Sequence, residues 1–573
     1  MSEDGREENK KQGGFKTMPL ILGNEICDRF ASTGFNANLI TYLTQIMHMP
    51  MVEASNVLTN FSGTSSLTPI IGALIADSFA GRFWSITVGL IIYLIGMISL
   101  TISAVAPSLH PPTCVEHQQC QKATSGQFFI LYASLLLTAI GSGGIRPCVV
   151  PFGADQLELK GTHATAKKGP SFFNLYFFSM GFISLLALTL VVYIQDNVGW
   201  GWGFGIPTIV MALSIIVFVV GYPLYIRIKP AGSPLTRLTQ VMVAAIRKRN
   251  AVRPDDVNLF YQDKELDADL SITGRLVHTD QLKFLDRAAI VTDGDMLPSG
   301  RPNHWRLSTV HRVEELKSIM RMLPIWIMGI ILIMALSHNG TFAIQQGRIM
   351  DRRITRHFQF PAASISIFTV ISMLTSLTIY DRVLVPLARR YTKQPTGITY
   401  FQRMGIGLVL AMLSNVSAAL VETKRKNAMN LHGVSISVFW LVPQFAIHGL
   451  AETFFSVGQM EFVYHQAPES MRSSATALFW LGISLGYYMG TALVTIVHNC
   501  TKKGVDWLPD DLNKGKLDSY YWLVTVIQIF NIGYYLVCSK YYRMKPLEAA
   551  EGEKVEEVEK EGSEKKVELG DIK

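Results

Sequence analysis

Long apolar runs separated by short polar breaks dominate this chain of 573 residues. A bilayer's hydrocarbon core takes roughly 20 helical residues to cross. About twelve runs are long enough, at 17–45, 54–77, 83–105, 126–150, 171–194, 202–226, 316–339, 360–381, 397–421, 435–463, 472–498 and 519–541. Six precede a polar stretch at 227–315 and six follow it. The pattern predicts an all-α membrane protein whose two six-helix bundles, 17–226 and 316–541, are joined by a long cytosolic linker. Residues 1–16 read as a charged cytosolic N-terminus, lacking the apolar core of a signal peptide and the acid-poor look of a transit peptide. Residues 542–573, rich in Glu and Lys, read as a disordered cytosolic tail. Within the linker, Leu238, Val241, Met242 and Ile246 recur at helical spacing beside arginines. That spacing predicts an amphipathic helix along the cytosolic surface or the bundle interface.

Composition agrees with the pattern. At 49% hydrophobic residues, 17% charged residues and a mean hydropathy of +0.26, the chain is too apolar for an ordinary soluble protein. Basic residues set the orientation. Arg237, Arg247, Lys248, Arg249, Arg287, Arg306 and Arg312 crowd the linker, and Arg389, Arg390, Lys393 and the tail add to the same side. Both termini are therefore expected in the cytosol. Two counter-clusters, Arg352–Arg353–Arg356 and Lys424–Arg425–Lys426, fall outside on this reading. The net charge of +8 is mostly this topology signal and does not call for nucleic acid. Six cysteines show no metal spacing, so neither metal nor cofactor is expected. Cys114 and Cys120 share one external loop and can either bridge or stay reduced.

Charge inside the membrane narrows the function. The first run carries Glu25, Asp28 and Arg29 at i, i+3 and i+4, on one helix face. Charge at that depth costs at least about 2.5–3.5 kcal/mol per group and normally faces a bundle interior or a wet cavity. Arg29 and Arg146 are the basic residues at mid-span, and Glu25, Asp28 and Glu452 the acids. Buried charges are tolerated chiefly when paired, so these five groups are expected to converge on one cavity. Two carboxylates beside a guanidinium suit proton relay and ion coupling. The bland alternative is that each charge merely braces neighbouring helices. Halves rocking about a central site would then supply transport by alternating access.

Particular motifs carry a resemblance. Gly72-Ala-Leu-Ile-Ala-Asp77-Ser-Phe-Ala-Gly81-Arg82 resembles the major facilitator signature, in which Asp77 and Arg82 belong to gating. Glu25-Ile-Cys-Asp28-Arg29 resembles the E-x-x-E-R motif of the proton-coupled oligopeptide/nitrate transporter family, with Asp for the second Glu. Gly143-Gly-Ile-Arg146-Pro147 resembles that family's span-four signature with Arg where Lys is usual. Ser171-Phe-Phe-Asn174-Leu-Tyr176 resembles its span-five signature, and Glu461-Phe-Val-Tyr464-His-Gln-Ala-Pro468 the end of its span ten. Pro302-Asn-His-Trp305 fits the plant nitrate/peptide branch, and the stretches 24–31 and 59–84 look most like its nitrite/gibberellin-type subfamily.

The resemblance implies a major facilitator fold and roles for matching residues. Glu25 takes the coupling proton and Arg29 pairs with it, with Asp28 beside them. Arg146 and Glu452 form an inter-bundle pair at the substrate. A guanidinium stays charged and offers a planar fork that suits carboxylate, nitrate or nitrite. The positions of the Tyr pair of peptide carriers are Ser32 and Thr33 here, which argues against peptides. The histidine of nitrate carriers maps to Leu336. His338, nearby, is expected near the outer rim as a surface or satisfied residue. Trp326, Phe454, Phe455 and Trp480 are candidates to line a cavity for an amphipathic acid, though each can equally be core. Ser85 matches a regulatory phosphosite of one branch, with an unmodified serine the alternative.

The function expected is proton-coupled symport of small anions such as nitrite or nitrate, of carboxylate hormones such as gibberellin, or of both. The expected partners are the substrate, protons and the bilayer, with the chain a monomer or weak dimer in the plasma membrane or an internal one. A ligand sensor that does not transport and an uncoupled facilitator are the rival readings. A membrane enzyme is disfavoured, since no H-E-x-x-H or comparable cluster is present.

Overall fold

The computed structural model describes residues 16–112, 121–149, 152–153, 156, 180–226, 234–254, 256–263, 276–298, 301–356, 358–392, 397–468 and 472–544. The N-terminal 15 residues, the tail beyond 544, Cys114, Cys120, the span-five signature at 171–178 and the side chain of Asp77 lie outside them.

Regular structure among the described residues is helical, apart from isolated bridges such as Asp351 with Ser437. In chain order the long helices are α1 (Met18–Ala37), α2 (Met51–Ile75), α3 (Gly81–Val105), α4 (Ser125–Ile145), α5 (Met180–Asn197) and α6 (Trp200–Val220). The linker helix α7 (Pro234–Arg247) follows. Then come α8 (Val310–Leu336), α9 (Ala362–Thr392), α10 (Tyr400–His432), α11 (Val442–Gln466), α12 (Arg472–Thr501) and α13 (Leu517–Tyr541). Among the described residues nine helical stretches are apolar and long enough to cross a bilayer, and one of them, Met51–Val105, holds both α2 and α3. With α1 and α11, whose charges lower their apolarity, the twelve expected spans are present.

Local chemistry sets the helix ends. The chain breaks between α2 and α3 at a π-turn, Ala76–Ala80, and at Gly81, whose φ of 73° is strained for any residue with a Cβ. Thr124 opens α4 with a capping box: its hydroxyl accepts from Gln127 N, and Gln127 Oε1 accepts from Thr124 N at 2.9 Å. Thr399 and Gln402 repeat the device at α10. Apolar side chains such as Phe129, Ile216 and Phe530 are more than half exposed, as a lipid-facing surface requires.

The chain divides into two compact units. The first comprises Met1–Ala231, Trp326–Gln459 and Phe479–Val537, and the second Gly232–Ile325, Met460–Leu478 and Cys538–Lys573. In the first unit Phe35 packs between Phe61 and Phe204, and Tyr42 meets Trp200 and Phe204, so rings from α1, α2 and α6 close one core.

The second counter-cluster of basic residues is largely spent inside the fold. Arg425, 4% exposed, pairs with Glu422 through Nε at 2.7 Å and Nη2 at 2.8 Å. Gln346 donates to the same carboxylate, and Tyr521 donates to Gln346. Lys424 Nζ sits 3.2 Å from the Trp440 ring centroid, and Lys426 donates to Gly515 O. A cation neutralised this way carries little topological weight.

The linker departs from expectation. It does more than lay a helix on a surface: in the second unit α7 buries Val241, Ala244 and Ala245 against Phe260, Leu285, Ala288, Val310 and Val313, a small core of its own. Charges beside it are paired with care. Lys317, fully buried, reaches Asp286 at 2.6 Å and Glu314 at 2.7 Å, while Arg321 holds Glu314 at 3.0 Å and His278 meets Asp286 at 3.1 Å. Three donors of this set, on His278, Asp286 and Glu314, lie close enough to share a metal ion, but the Lys317 ammonium already bonds both carboxylates. His304 accepts from Arg312 Nη1 at 3.2 Å. Burial, and then the Arg312 charge, push its pKa below the ordinary 6.5.

Candidate functional site

On α1 the polar positions turn inward. Asn24, fully buried, accepts from Ser214 Oγ on α6 at 2.5 Å, which fixes the rotation of α1. Glu25 and Asp28 are then half-buried, and Arg29 is exposed on the same face. Arg29 Nε donates to Ser184 Oγ on α5 at 3.1 Å.

Arg146 closes the C-terminal end of α4, its N–H bonded to Ser142 O. Glycines bring it there. A Cβ on Gly143 would lie 2.6 Å from Thr68 Cβ of α2, and one on Gly141 2.6 Å from Tyr93 Cβ of α3. The run Gly141-Ser-Gly-Gly144 therefore lets α2 and α3 approach α4 at backbone contact. Asp28 comes within electrostatic reach of Arg146 as well as Arg29, and Tyr93 within reach of Asp28 and Arg146.

From the second half, α12 meets the same guanidinium. Arg146 Cζ lies 6.0 Å from the Trp480 ring centroid, within the range of a cation–π contact. Seven residues on, Tyr487 lies within reach of both Arg146 and Glu452 of α11. Four of the five intramembrane charges singled out from the sequence, Asp28, Arg29, Arg146 and Glu452, are thus linked in one region, with Tyr93 and Tyr487 between them. Glu25 faces the same way as Asp28 and Arg29 on α1.

The other candidates divide. Trp326 is half-buried and seated on α12, where a Cβ on Gly482 would lie 2.6 Å from its Nε1. Phe454 packs edge-on to Tyr380 at 5.6 Å, and Arg403 Cζ lies 4.0 Å from the centroid of the same ring. Phe455 is core: it is 4% exposed and pressed against Gly407. Arg82 is half-buried at the start of α3. Ser85 is 7% exposed, with its hydroxyl enclosed and its carbonyl against Gly144.

Sequence reasoning missed several of these groups. Arg403 is a buried cation in the first turn of α10, where position alone suggested a span end. Tyr93 and Tyr487 look like ordinary span aromatics until the glycines of α4 and α2 bring them to Arg146. His338 is not a surface residue but fully buried. It is a satisfied residue. Its Nε2 donates to Asn56 Oδ1 at 3.2 Å and lies 3.2 Å from Thr59 Oγ1, and its Nδ1 meets Ser337 Oγ at 2.9 Å.

That histidine belongs to a polar seam between the halves. Ser55 meets Thr341 at 2.8 Å, Asn56 donates to Thr495 at 3.0 Å, and Thr64 meets the Tyr488 hydroxyl at 2.8 Å. Gln345 donates to Thr44, and Ser364 to Leu188 O. These bonds lie toward the ends of the helices remote from the chain start, outside on the expected topology.

Comparison with known proteins agrees with this geometry. The sequence profile of the POT family matches residues 83–513. NRT1/PTR family protein 3.1 of Arabidopsis thaliana is 54% identical over 552 residues, spanning 94% of this chain and 92% of that protein. NRT1/PTR family protein 8.5 of the same plant is 44% identical over 543 residues, with 94% and 92% covered. A solved structure of an auto-inhibited POT family peptide transporter superposes with a TM-score of 0.68 at 20% identity, covering 93% of this chain and 98% of that one. At that identity the likeness is one of fold.

Proposed function

The chain belongs to the POT family of multi-pass membrane transporters, and on that premise we propose that it is a proton-coupled symporter of monoanions. The substrates proposed are nitrite or nitrate and carboxylate hormones of the gibberellin kind. The observation that carries this reading is Arg146, a permanent cation set between Asp28 on α1 and Trp480 on α12. An always-charged planar fork beside an aromatic ring suits an anion with an apolar body. Ser32 and Thr33, in place of a tyrosine pair, argue against peptides.

In this reading Glu25 takes the coupling proton, while Asp28 and Arg29 complete the relay. Burial raises a carboxylate pKa and a nearby guanidinium lowers it, so partner exchange by Arg29 would switch Glu25 between loading and release. Arg146 and Glu452 exchange partners as substrate enters, with Trp326, Phe454 and Trp480 shaping the cavity. Asp77 and Arg82 act in gating. The membrane potential contributes about 2.3 kcal/mol per charge per 100 mV, enough to concentrate an anion if more protons than negative charges enter. The plasma membrane, with both termini in the cytosol, is the proposed location.

The test is substrate-induced current in a voltage-clamped cell expressing the chain, at acidic and neutral external pH. Nitrite, nitrate, a gibberellin and a dipeptide are offered in turn. Acid-stimulated inward current with an anion and none with the dipeptide supports the reading. Current with the dipeptide alone contradicts it.

A further inference from the structure

One face of α12 meets the first half of the chain. At about 100° per residue, Trp480, Ser484, Tyr487 and Thr491 fall within about 60° of one another. The first half contacts this stripe repeatedly. Trp480 lies beside Arg146; Tyr487 Cβ would sit 3.3 Å from a Cβ on Gly63; and the flanking Tyr488 and Thr495 bond Thr64 and Asn56. The opposite face of α12 is occupied by α8, since Gly482 and Gly486 are pressed against Trp326 and Ile333. Ser484 is therefore held on the side that looks across to the first half, one turn from Trp480.

Its hydroxyl is unpartnered there, as is that of Thr491 on the same stripe. Ser484 is 1% exposed, and its Oγ has no hydrogen-bond partner among the described residues, not even the carbonyl one turn back. Burying a hydroxyl without a partner is unfavourable. Tyr488, four residues on, shares its hydroxyl with Thr64 of the first half. Ser484 keeps a donor and acceptor unspent, one helical turn from the Trp480 ring that meets Arg146.

We propose that Ser484 is a specificity residue, hydrogen-bonding a hydroxyl or carbonyl oxygen of a carboxylate substrate whose carboxylate pairs with Arg146. This rests on the anion reading above and extends it. Four residues, a rise of about 6 Å along α12, separate Trp480 from Ser484. The second oxygen therefore belongs several ångströms along α12 from the Trp480 ring, on a rigid body that lies against that ring. Nitrite and nitrate are too short to span the two groups. The class selected is an oxygenated, apolar monocarboxylate.

The experiment compares acid-driven uptake of two radiolabelled gibberellins that differ by one ring hydroxyl, in cells expressing wild type, Ser484→Ala or Ser484→Thr. Surface expression is matched by quantitative labelling. Wild type should prefer the hydroxylated congener by roughly two- to tenfold in half-saturation concentration, the worth of one hydrogen bond. Ser484→Ala should bring that ratio close to one, and Ser484→Thr should restore it. If wild type carries both congeners and Ser484→Ala keeps the preference, the proposal falls while the anion reading stands. If wild type carries neither gibberellin, the proposal falls together with the hormone arm of that reading.

Discussion

Arg146 of α4 and Trp480 of α12 meet across the two halves of the chain, with 6.0 Å between guanidinium carbon and ring centroid. A cation over a ring is worth about 0.5–1 kcal/mol when exposed and about 2 when desolvated. The pair is therefore strong enough to bias a conformation and weak enough to yield to an anion.

Arg146→Gln removes the charge and should abolish uptake of every anion tested. Arg146→Lys keeps the charge but loses the planar fork, so half-saturation should rise by roughly tenfold with surface expression intact. Trp480→Ala should weaken uptake of apolar carboxylates by roughly 2- to 30-fold, and of nitrite far less. Dose–response curves for a gibberellin and for nitrite separate these outcomes.

His338 fastens the outer seam to Asn56 and Thr59. In His338→Ala those bonds are lost, and the balance should shift toward an outward-open form. A cysteine introduced at Gly63, where Tyr487 and Tyr488 now press, should react with a membrane-impermeant maleimide several-fold faster in the His338→Ala background. Equal rates would show that the histidine does not hold the seam.

Lys317 is compensated on both sides by Asp286 and Glu314. Breaking an isolated buried pair costs about 3–5 kcal/mol, and here Arg321 and Arg253 keep part of the compensation on Glu314 and Asp286, so the loss should be smaller. Lys317→Met should accordingly lower the thermal stability of the purified protein. Proteolysis should increase first in the 276–290 stretch, which mass spectrometry of the fragments will locate.

His304 makes the linker unit sensitive to acid. Its folded pKa lies below 6.5, so the neutral form is the one that folding favours. The stabilisation is complete above the unfolded pKa of 6.5 and is lost as pH falls through the folded value. Amide exchange at the start of α8 should quicken on acidification, over and above the intrinsic rate change. His304→Asn should remove that extra step.

How far the sequence reaches depends on the kind of signal. Twelve spans and the charged face of α1 were legible because burying a charge in a membrane is costly, so each one stands out against an apolar run. Arg146 was legible as the lone cation of its span. Tyr93 and Tyr487 were not, since aromatic residues are common in spans and only the approach allowed by Gly141 and Gly63 brings these two to the charges. Arg425 looked like part of an external basic cluster until Glu422, one turn back on the same helix, was seen to take it. The linker core was illegible for another reason. Val241, Phe260, Leu285 and Val313 come from four separate segments, and no local periodicity joins them.

The central claim is that anion entry is coupled to protons through the charged face of α1. Nitrite-induced current, recorded at acidic and neutral external pH in wild type and in Glu25→Gln, tests it most directly. The account predicts inward current that grows with external acidity and disappears in the mutant, whose amount at the surface is unchanged. Uptake that ignores external pH and survives Glu25→Gln would mean that the protein is an uncoupled facilitator and that Glu25 carries no proton.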